Sequence, residues 1–120
     1  MQINVAAASV NQIPLAWENN LQNLYCAIEE AKFAEVSMLC LPEMAVCGYG
    51  CDDLFLGEDI YQRSLETVFA LLQYTEGIVT SFGLPLKVDG RRYNAMCVVA
   101  DGELQGFVCK RVLANDGIHC

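Results

Sequence analysis

Two short apolar runs, "INVAAASV" (3–10) and "VSMLCL" (36–41), are separated by a stretch whose apolar residues recur at helical spacing. No other feature constrains the fold as tightly. Two strands with one helix between them pair in parallel, because the crossover returns the chain to the same end of the sheet. Continuous apolar runs, in place of alternating ones, predict strands buried on both faces. Within the intervening stretch, "NQIPLAWENN" reads as a turn region with Pro14 as its breaker. From about Trp17 to Ala34, the positions Leu21, Leu24, Tyr25, Ile28 and Ala31 form one helical stripe. Glu29, Glu30 and Lys32 fall among the polar positions.

After a loop from Pro42 to Gly57, which also carries Asp52 and Asp53, a second helix opens at Glu58 and Asp59. Acidic residues there suit the positive end of the helix dipole. Its inner face is expected at Tyr61, Leu65, Val68, Phe69 and Leu72. A third strand follows at 78–86, and "VDGRRYNAMCVVADGELQGFVCK" reads as two strands joined at Asp101-Gly102. That is the signature of a hairpin with a tight turn, and Asp89-Gly90 marks an earlier turn of the same kind. The order is β-α-β-α-β-β-β, which predicts an α/β fold: a mixed sheet with helices on one face. No repeat or linker divides the 120 residues, enough for one small domain with a modest core. The chain stops at "LANDGIHC" with no closing helix or strand, an ending expected of a severed domain.

Composition removes several classes of function. With 54 % hydrophobic and 18 % charged residues the chain is globular and not disordered. A net charge of -8 argues against nucleic acid, since phosphate binding needs a basic surface. Arg91 and Arg92 read as turn residues and not as part of a basic stripe. No apolar run approaches the roughly 20 residues of a membrane span. The opening "MQINVAAASVNQ" lacks a signal peptide's basic start and long apolar stretch, so a cytoplasmic location is expected. In a reducing compartment the seven cysteines need not be a disulfide scaffold. Cys40, Cys97 and Cys109 sit within strand-like runs, where a reduced thiol acts as a small hydrophobe. Cys47 and Cys51 are spaced C-x3-C, but His119 and the distant cysteines do not complete a zinc set, so no metal is expected.

Two charged residues stand at strand ends. Glu43 follows the second run directly, in "LCLPEMAVCGYGCDDLF" (39–55). The carboxyl ends of strands are where α/β sheets build sites. Its neighbours Leu41, Pro42, Met44, Ala45 and Val46 are apolar, so partial desolvation is expected, which favours a proton-transfer role. The plainer alternative is a loop cap or a surface ion pair. Lys110 ends the last hairpin strand. It is either a snorkelling edge residue or a fixed cation facing a developing oxyanion.

Taken together, "LCLPEMAVCGYG" around Glu43 and "GFVCKRVLAN" around Lys110 resemble the nitrilase, or carbon-nitrogen hydrolase, superfamily, and "INVAAASVNQIPLAWENNLQNLYCAIEEAK" fits its opening. Within it, "CGYGCDDLF" and "LANDG" are most similar to the glutaminase domains of glutamine-dependent NAD synthetases. The resemblance implies that 1–120 form the N-terminal half of a nitrilase-like α-β-β-α sandwich, with the synthetase domain absent. It also implies a Glu-Lys-Cys triad: Glu43 takes the thiol proton, Lys110 stabilises the tetrahedral intermediate, and a thioester forms on attack at the amide of glutamine. Tyr49 matches an aromatic lining the glutamine pocket, the alternative being loop packing. The family's nucleophile lies on a later strand, so neither Cys47, Cys51 nor Cys120 inherits the role, and the chain alone is expected to be inactive. No cofactor is implied for these residues. ATP and magnesium belong to the missing synthetase domain, and the full-length enzyme is expected to be a homo-oligomer. The alternatives are another amidase or carbamoylase of the superfamily, or a non-catalytic half-domain whose open faces favour self-association.

Overall fold

The computed structural model describes residues 2–51, 57 and 59–110. Its elements are β1 (Val5–Ala7), α1 (Trp17–Phe33), β2 (Met38–Cys40), α2 (Asp59–Leu72), β3 (Val79–Val88), β4 (Arg91–Ala100) and β5 (Glu103–Cys109). The five strands form one sheet in chain order, β1-β2-β3-β4-β5. β1, β2 and β3 run parallel, as the intervening helices require, whereas β3, β4 and β5 form an antiparallel meander. Both Asp-Gly pairs make the meander's turns. Asp89 and Gly90 have φ of 50° and 79°, Asp101 and Gly102 51° and 83°. Positive φ at both central residues is what a two-residue hairpin turn demands if it is to follow the strand twist.

The helices pack on one face of the sheet. Leu24, Ile28 and Ala31 of α1 meet Leu39, Phe82, Leu84, Cys97 and Val99 of the strands, with Val68 and Leu71 of α2 completing the core. Leu21 and Tyr25 lie at its margin, and Tyr25 packs edge-on against Tyr74 with ring centroids 4.6 Å apart.

Two expectations need correction. Strands β1 and β2 are not buried on both faces. Val5 is 64 % and Met38 42 % exposed, while Leu39, next to Met38 and facing the opposite side of the sheet, is 2 % exposed. The reason is that only one side of the sheet carries helices, and residues of the other side (Val5, Met38, Cys40, Val108) have no layer above them among the described residues. Cys40, read as a buried hydrophobe, belongs to this open face, whereas Cys97 is fully buried. The buried face of α2 is also rotated from the expected stripe. Ile60, Tyr61, Ser64, Thr67, Val68 and Leu71 point inward, Leu65 and Leu72 are only partly buried, and Phe69 is exposed. Small polar residues can be buried at a close packing contact, and Thr67 satisfies its hydroxyl on the Arg63 carbonyl at 3.0 Å. An apolar stripe does not reveal such a face.

Glu58, Asp52, Asp53, His119, Cys120 and the "LANDG" segment lie outside the described residues. Among the described residues no helix is long and apolar enough to cross a membrane.

Candidate active site

Glu43 stands just past the carboxyl end of β2, on a loop fastened to β3 by its main chain. Gly83 of β3 donates its N–H to the Pro42 carbonyl and accepts from the Val46 N–H, both at 3.0 Å. The approach is close enough to require glycine. A Cβ on residue 83 would lie 2.4 Å from the Met44 nitrogen and 2.7 Å from the Glu43 Cα, both main-chain atoms that cannot swing aside. Met44 then takes φ of 53°, a left-handed conformation unfavourable for a residue with a side chain. This twist turns Met44, Ala45, Val46 and Cys47 into the interior, each 5 % exposed or less, and leaves Glu43 on the outside.

A second bracket holds the far side of the loop. The fully buried Asn20 of α1 donates to the Ile13 carbonyl at 2.8 Å and accepts from the Ile13 N–H at 3.0 Å, fixing the 12–15 segment. That segment braces the Glu43 loop in turn: Gln12 Nε2 donates to the Ala45 carbonyl at 2.6 Å, and Leu15 N–H to the Cys47 carbonyl at 2.8 Å.

Lys110 arrives by a different route. β5 ends at Cys109, opposite Ala95 of β4, and the Lys110 N–H extends the ladder to the Asn94 carbonyl at 2.9 Å. Because β5 runs antiparallel to β4, and β4 antiparallel to β3, the carboxyl ends of β2 and β5 point the same way. The Lys110 ammonium lies 3.7 Å from Glu43 Oε1. The side-chain amide of Asn94 donates to the same oxygen. Thus the structure brings together the two charged residues read from the sequence, 67 positions apart, and adds Asn94. Asn94 alternates with the buried Ala95, so it stands on the sheet's open side, and the cluster faces that side.

The carboxylate is not desolvated as its apolar neighbours suggested. The side chains of Glu43 and Lys110 are 41 % and 45 % exposed, because those neighbours turn inward beneath the loop. A carboxylate in reach of a thiol, and an ammonium beside it, can do two things: accept a proton and stabilise negative charge developing on a bound carbonyl oxygen. Tyr49 sits on the same loop between Gly48 and Gly50, 57 % exposed. Gly48 presses on the Ile13–Pro14 main chain, where a Cβ would fall 2.8 Å from the Ile13 carbonyl carbon.

The thiols beneath the loop are of another kind. Cys47 and Cys51 are buried with Met44, Ile60 and Tyr61, their sulfurs 3.8 Å apart. Burial, and then the neighbouring Cys51, pushes the Cys47 thiol far above its ordinary range, so it stays protonated and poorly nucleophilic. Burial likewise pushes Cys97 up to about 12. Among the described residues no group of three or more His, Cys, Asp or Glu side chains is placed to hold a metal ion. A groove of about 440 Å³ between β1 and α1, lined by Ala6, Ala8, Asn23, Cys26 and Leu39 among others, includes neither Glu43 nor Lys110.

Sequence reading missed Gly83 and Asn94. Gly83 had a signal, a glycine inside an apolar strand, which marks a close main-chain approach. Asn94 had a weaker one, a polar residue in the alternating strand "RRYNAMCVVA".

The Carbon-nitrogen hydrolase family pattern matches residues 4–114. This chain belongs to the carbon-nitrogen hydrolase family. Among its relatives, the glutamine-dependent NAD(+) synthetase of Arabidopsis thaliana is 34 % identical over 96 % of this chain, and that of Homo sapiens 31 % identical over 97 %. The chain spans only 16 % and 17 % of those two proteins. A solved glutamine-dependent NAD(+) synthetase from Cytophaga hutchinsonii superposes with a TM-score of 0.93 at 45 % identity, covering 98 % of this chain and 20 % of that one. An amidase from Nesterenkonia superposes with a TM-score of 0.80 at 18 % identity, over 94 % of this chain and 44 % of the amidase, a likeness of fold. The nitrilase-like α/β architecture is therefore that of the family, and the described residues supply one helix layer and one sheet of it.

Proposed function

We propose that this chain is the N-terminal part of the glutaminase domain of a glutamine-dependent NAD synthetase, and that Glu43 and Lys110 are two members of its catalytic triad. The observation that carries the reading is the meeting of the Lys110 ammonium and the Glu43 carboxylate at 3.7 Å beside the sheet's open face. The names of the relatives that match nearly the whole chain support the substrate, glutamine.

In this reading the nucleophile is a cysteine outside these 120 residues. Glu43 takes the proton from its thiol, and sulfur bonds to the side-chain amide carbon of glutamine. Lys110 stabilises the oxyanion of the tetrahedral intermediate. The C–N bond then breaks, Glu43 returns the proton to the departing nitrogen, and ammonia leaves behind a thioester. Water, giving its proton to Glu43, attacks the thioester, releasing glutamate and the thiol. Tyr49 lines the glutamine pocket. Of the described cysteines, Cys47 and Cys97 fit the nucleophile poorly, since burial holds them protonated. ATP and magnesium act in the portion of such an enzyme that this chain does not span, where ammonia amidates deamido-NAD. A homo-oligomeric, cytoplasmic enzyme completes the proposal.

The test uses the longest gene product containing this chain. It is expected to release ammonia from glutamine and to form NAD from deamido-NAD with ATP. Glu43→Gln is expected to abolish both, while NAD formation from added ammonium salt survives. Loss of the ammonium-driven reaction as well would refute a role confined to glutamine hydrolysis. Robust glutamine turnover by the 120 residues alone would refute the external thiol.

A further inference from the structure

We propose that Asn94 is the positioning residue of the Glu43–Lys110 site, holding the carboxylate in one orientation so that a single oxygen, Oε2, handles the proton. The inference rests on the reading of Glu43 as the base and goes beyond it, because it assigns the atom and what selects it.

Asn94 touches both charged residues at once. Its side-chain amide donates to Glu43 Oε1, and its main-chain carbonyl accepts the Lys110 N–H at 2.9 Å. It lies inside the β3–β4 ladder, opposite Pro85, and one residue beyond the last β4–β5 pair, Ala95–Cys109, so its own position is fixed. Glu43, by contrast, carries a side chain with rotatable bonds and 41 % exposure. Left to solvent, such a carboxylate exchanges its two oxygens by rotation. Here the amide N–H and the Lys110 ammonium both fall on Oε1. Among the described residues no hydrogen bond reaches Oε2. The symmetry of the carboxylate is broken, and the oxygen left open is the one available to a thiol.

The residue type follows from the same geometry. The position needs a donor, which aspartate lacks. It needs a neutral one, because a second cation beside Lys110 would compete for the carboxylate. It also needs a short side chain, since the strand main chain is already close. Holding a base in register in this way acts on the chemical step and not on substrate affinity.

Two measurements decide the matter. In the longest gene product containing this chain, Asn94→Asp keeps the side chain's shape but replaces the donor by a carboxylate facing Glu43, so Asn94→Ala is the arm that removes the donor alone. Asn94→Asp is expected to lower kcat for glutamine hydrolysis about 100-fold, as misplacement of a reacting group does. KM is expected to stay within about threefold, as a loss confined to the chemical step leaves it, with an unchanged thermal melt. Asn94→Ala should behave alike. In the 120-residue chain, the Asn94 side-chain amide resonances are followed by 1H–15N NMR, with those of Asn20 as the control. Glu43→Gln is expected to move the Asn94 signals and leave Asn20 in place. A kcat within twofold of the parent in both Asn94 variants, or Asn94 signals indifferent to Glu43→Gln, overturns the proposal. If the parent hydrolyses no glutamine, the glutaminase reading falls, and the NMR result still decides whether Asn94 holds Glu43.

Discussion

The two charged residues of the site are held by opposite means. Glu43 sits on a loop fixed by tertiary contacts: the Gly83 bracket, the left-handed Met44, and the Asn20-pinned segment behind it. Lys110 is the first residue beyond an antiparallel ladder, placed by register, with a long half-exposed side chain. A carboxylate that is to act as the proposed base needs orientation, and orientation comes from many contacts that each forbid an alternative. The cation needs only to be near, and a strand end suffices for that. Damage should therefore travel easily to Glu43 and poorly to Lys110.

Gly83→Ala gives the harshest break. A methyl group against main-chain atoms 2.4–2.9 Å away forces either β3 or the loop to move. A loss of about 3 kcal/mol is expected from such overpacking, read from a urea midpoint. A change under about 0.5 kcal/mol would mean the loop is not tied to β3 as described. Asn20→Ala comes next. It strands the Ile13 N–H and carbonyl, and about 2 kcal/mol is expected from unsatisfied polar groups. The Glu43 loop should then exchange its amide protons faster, while β4 and β5 keep their protection. Equal loosening of both regions would erase the contrast.

Alkaline pH probes the thiol beneath the ladder. Cys97 keeps its proton in the folded chain to about 12, against an ordinary 9.0. Above pH 9 the unfolded chain releases that proton and the folded chain does not, so the folded state binds more protons. Stability is then complete below pH 9 and falls as pH rises towards 12, by up to about 1.4 kcal/mol per pH unit for this group. Cys97→Ala should make the fall of urea midpoint with pH between 9 and 10.5 shallower, whatever its offset, with the buried Cys47 keeping its own share. An unchanged slope would show that Cys97 is not sealed in the core. Lys110→Met should do least to the fold. Its ion pair is 3.7 Å long and nearly half-exposed, so under about 0.5 kcal/mol is expected. Glutamine hydrolysis in the longer gene product should nonetheless collapse. A large stability loss would make Lys110 a structural residue and narrow the difference between the two arms.

Much of this was legible in the chain. Helix α1 and its Leu24-Ile28-Ala31 stripe, both Asp-Gly turns and the β-α-β-α-β-β-β order follow from periodicity and turn chemistry, which act over a few residues. Glu43 and Lys110 were legible as strand-end charges and through the family resemblance of their surroundings. The rotated face of α2 was not, because Ser64 and Thr67 are buried by tertiary packing and not by their own hydrophobicity. Nor was the solvent exposure of Glu43, since neighbours in sequence are turned away from it by the φ of one residue, Met44.

The sequence by itself determined which segments are helix and strand, where the hairpins turn, and the parallel start of the sheet. Each of these rests on interactions between residues close along the chain, or on the handed geometry of a crossover. Only the tertiary structure decided that Asn94 stands between Glu43 and Lys110, and that Gly83 leaves room for the loop. Those facts depend on the register of β4 with β5 and on distances across strands. A bulge between Val98 and Val99 shifts that register by a residue; Gly106 in β5 marks its place, but not which residues it brings opposite each other.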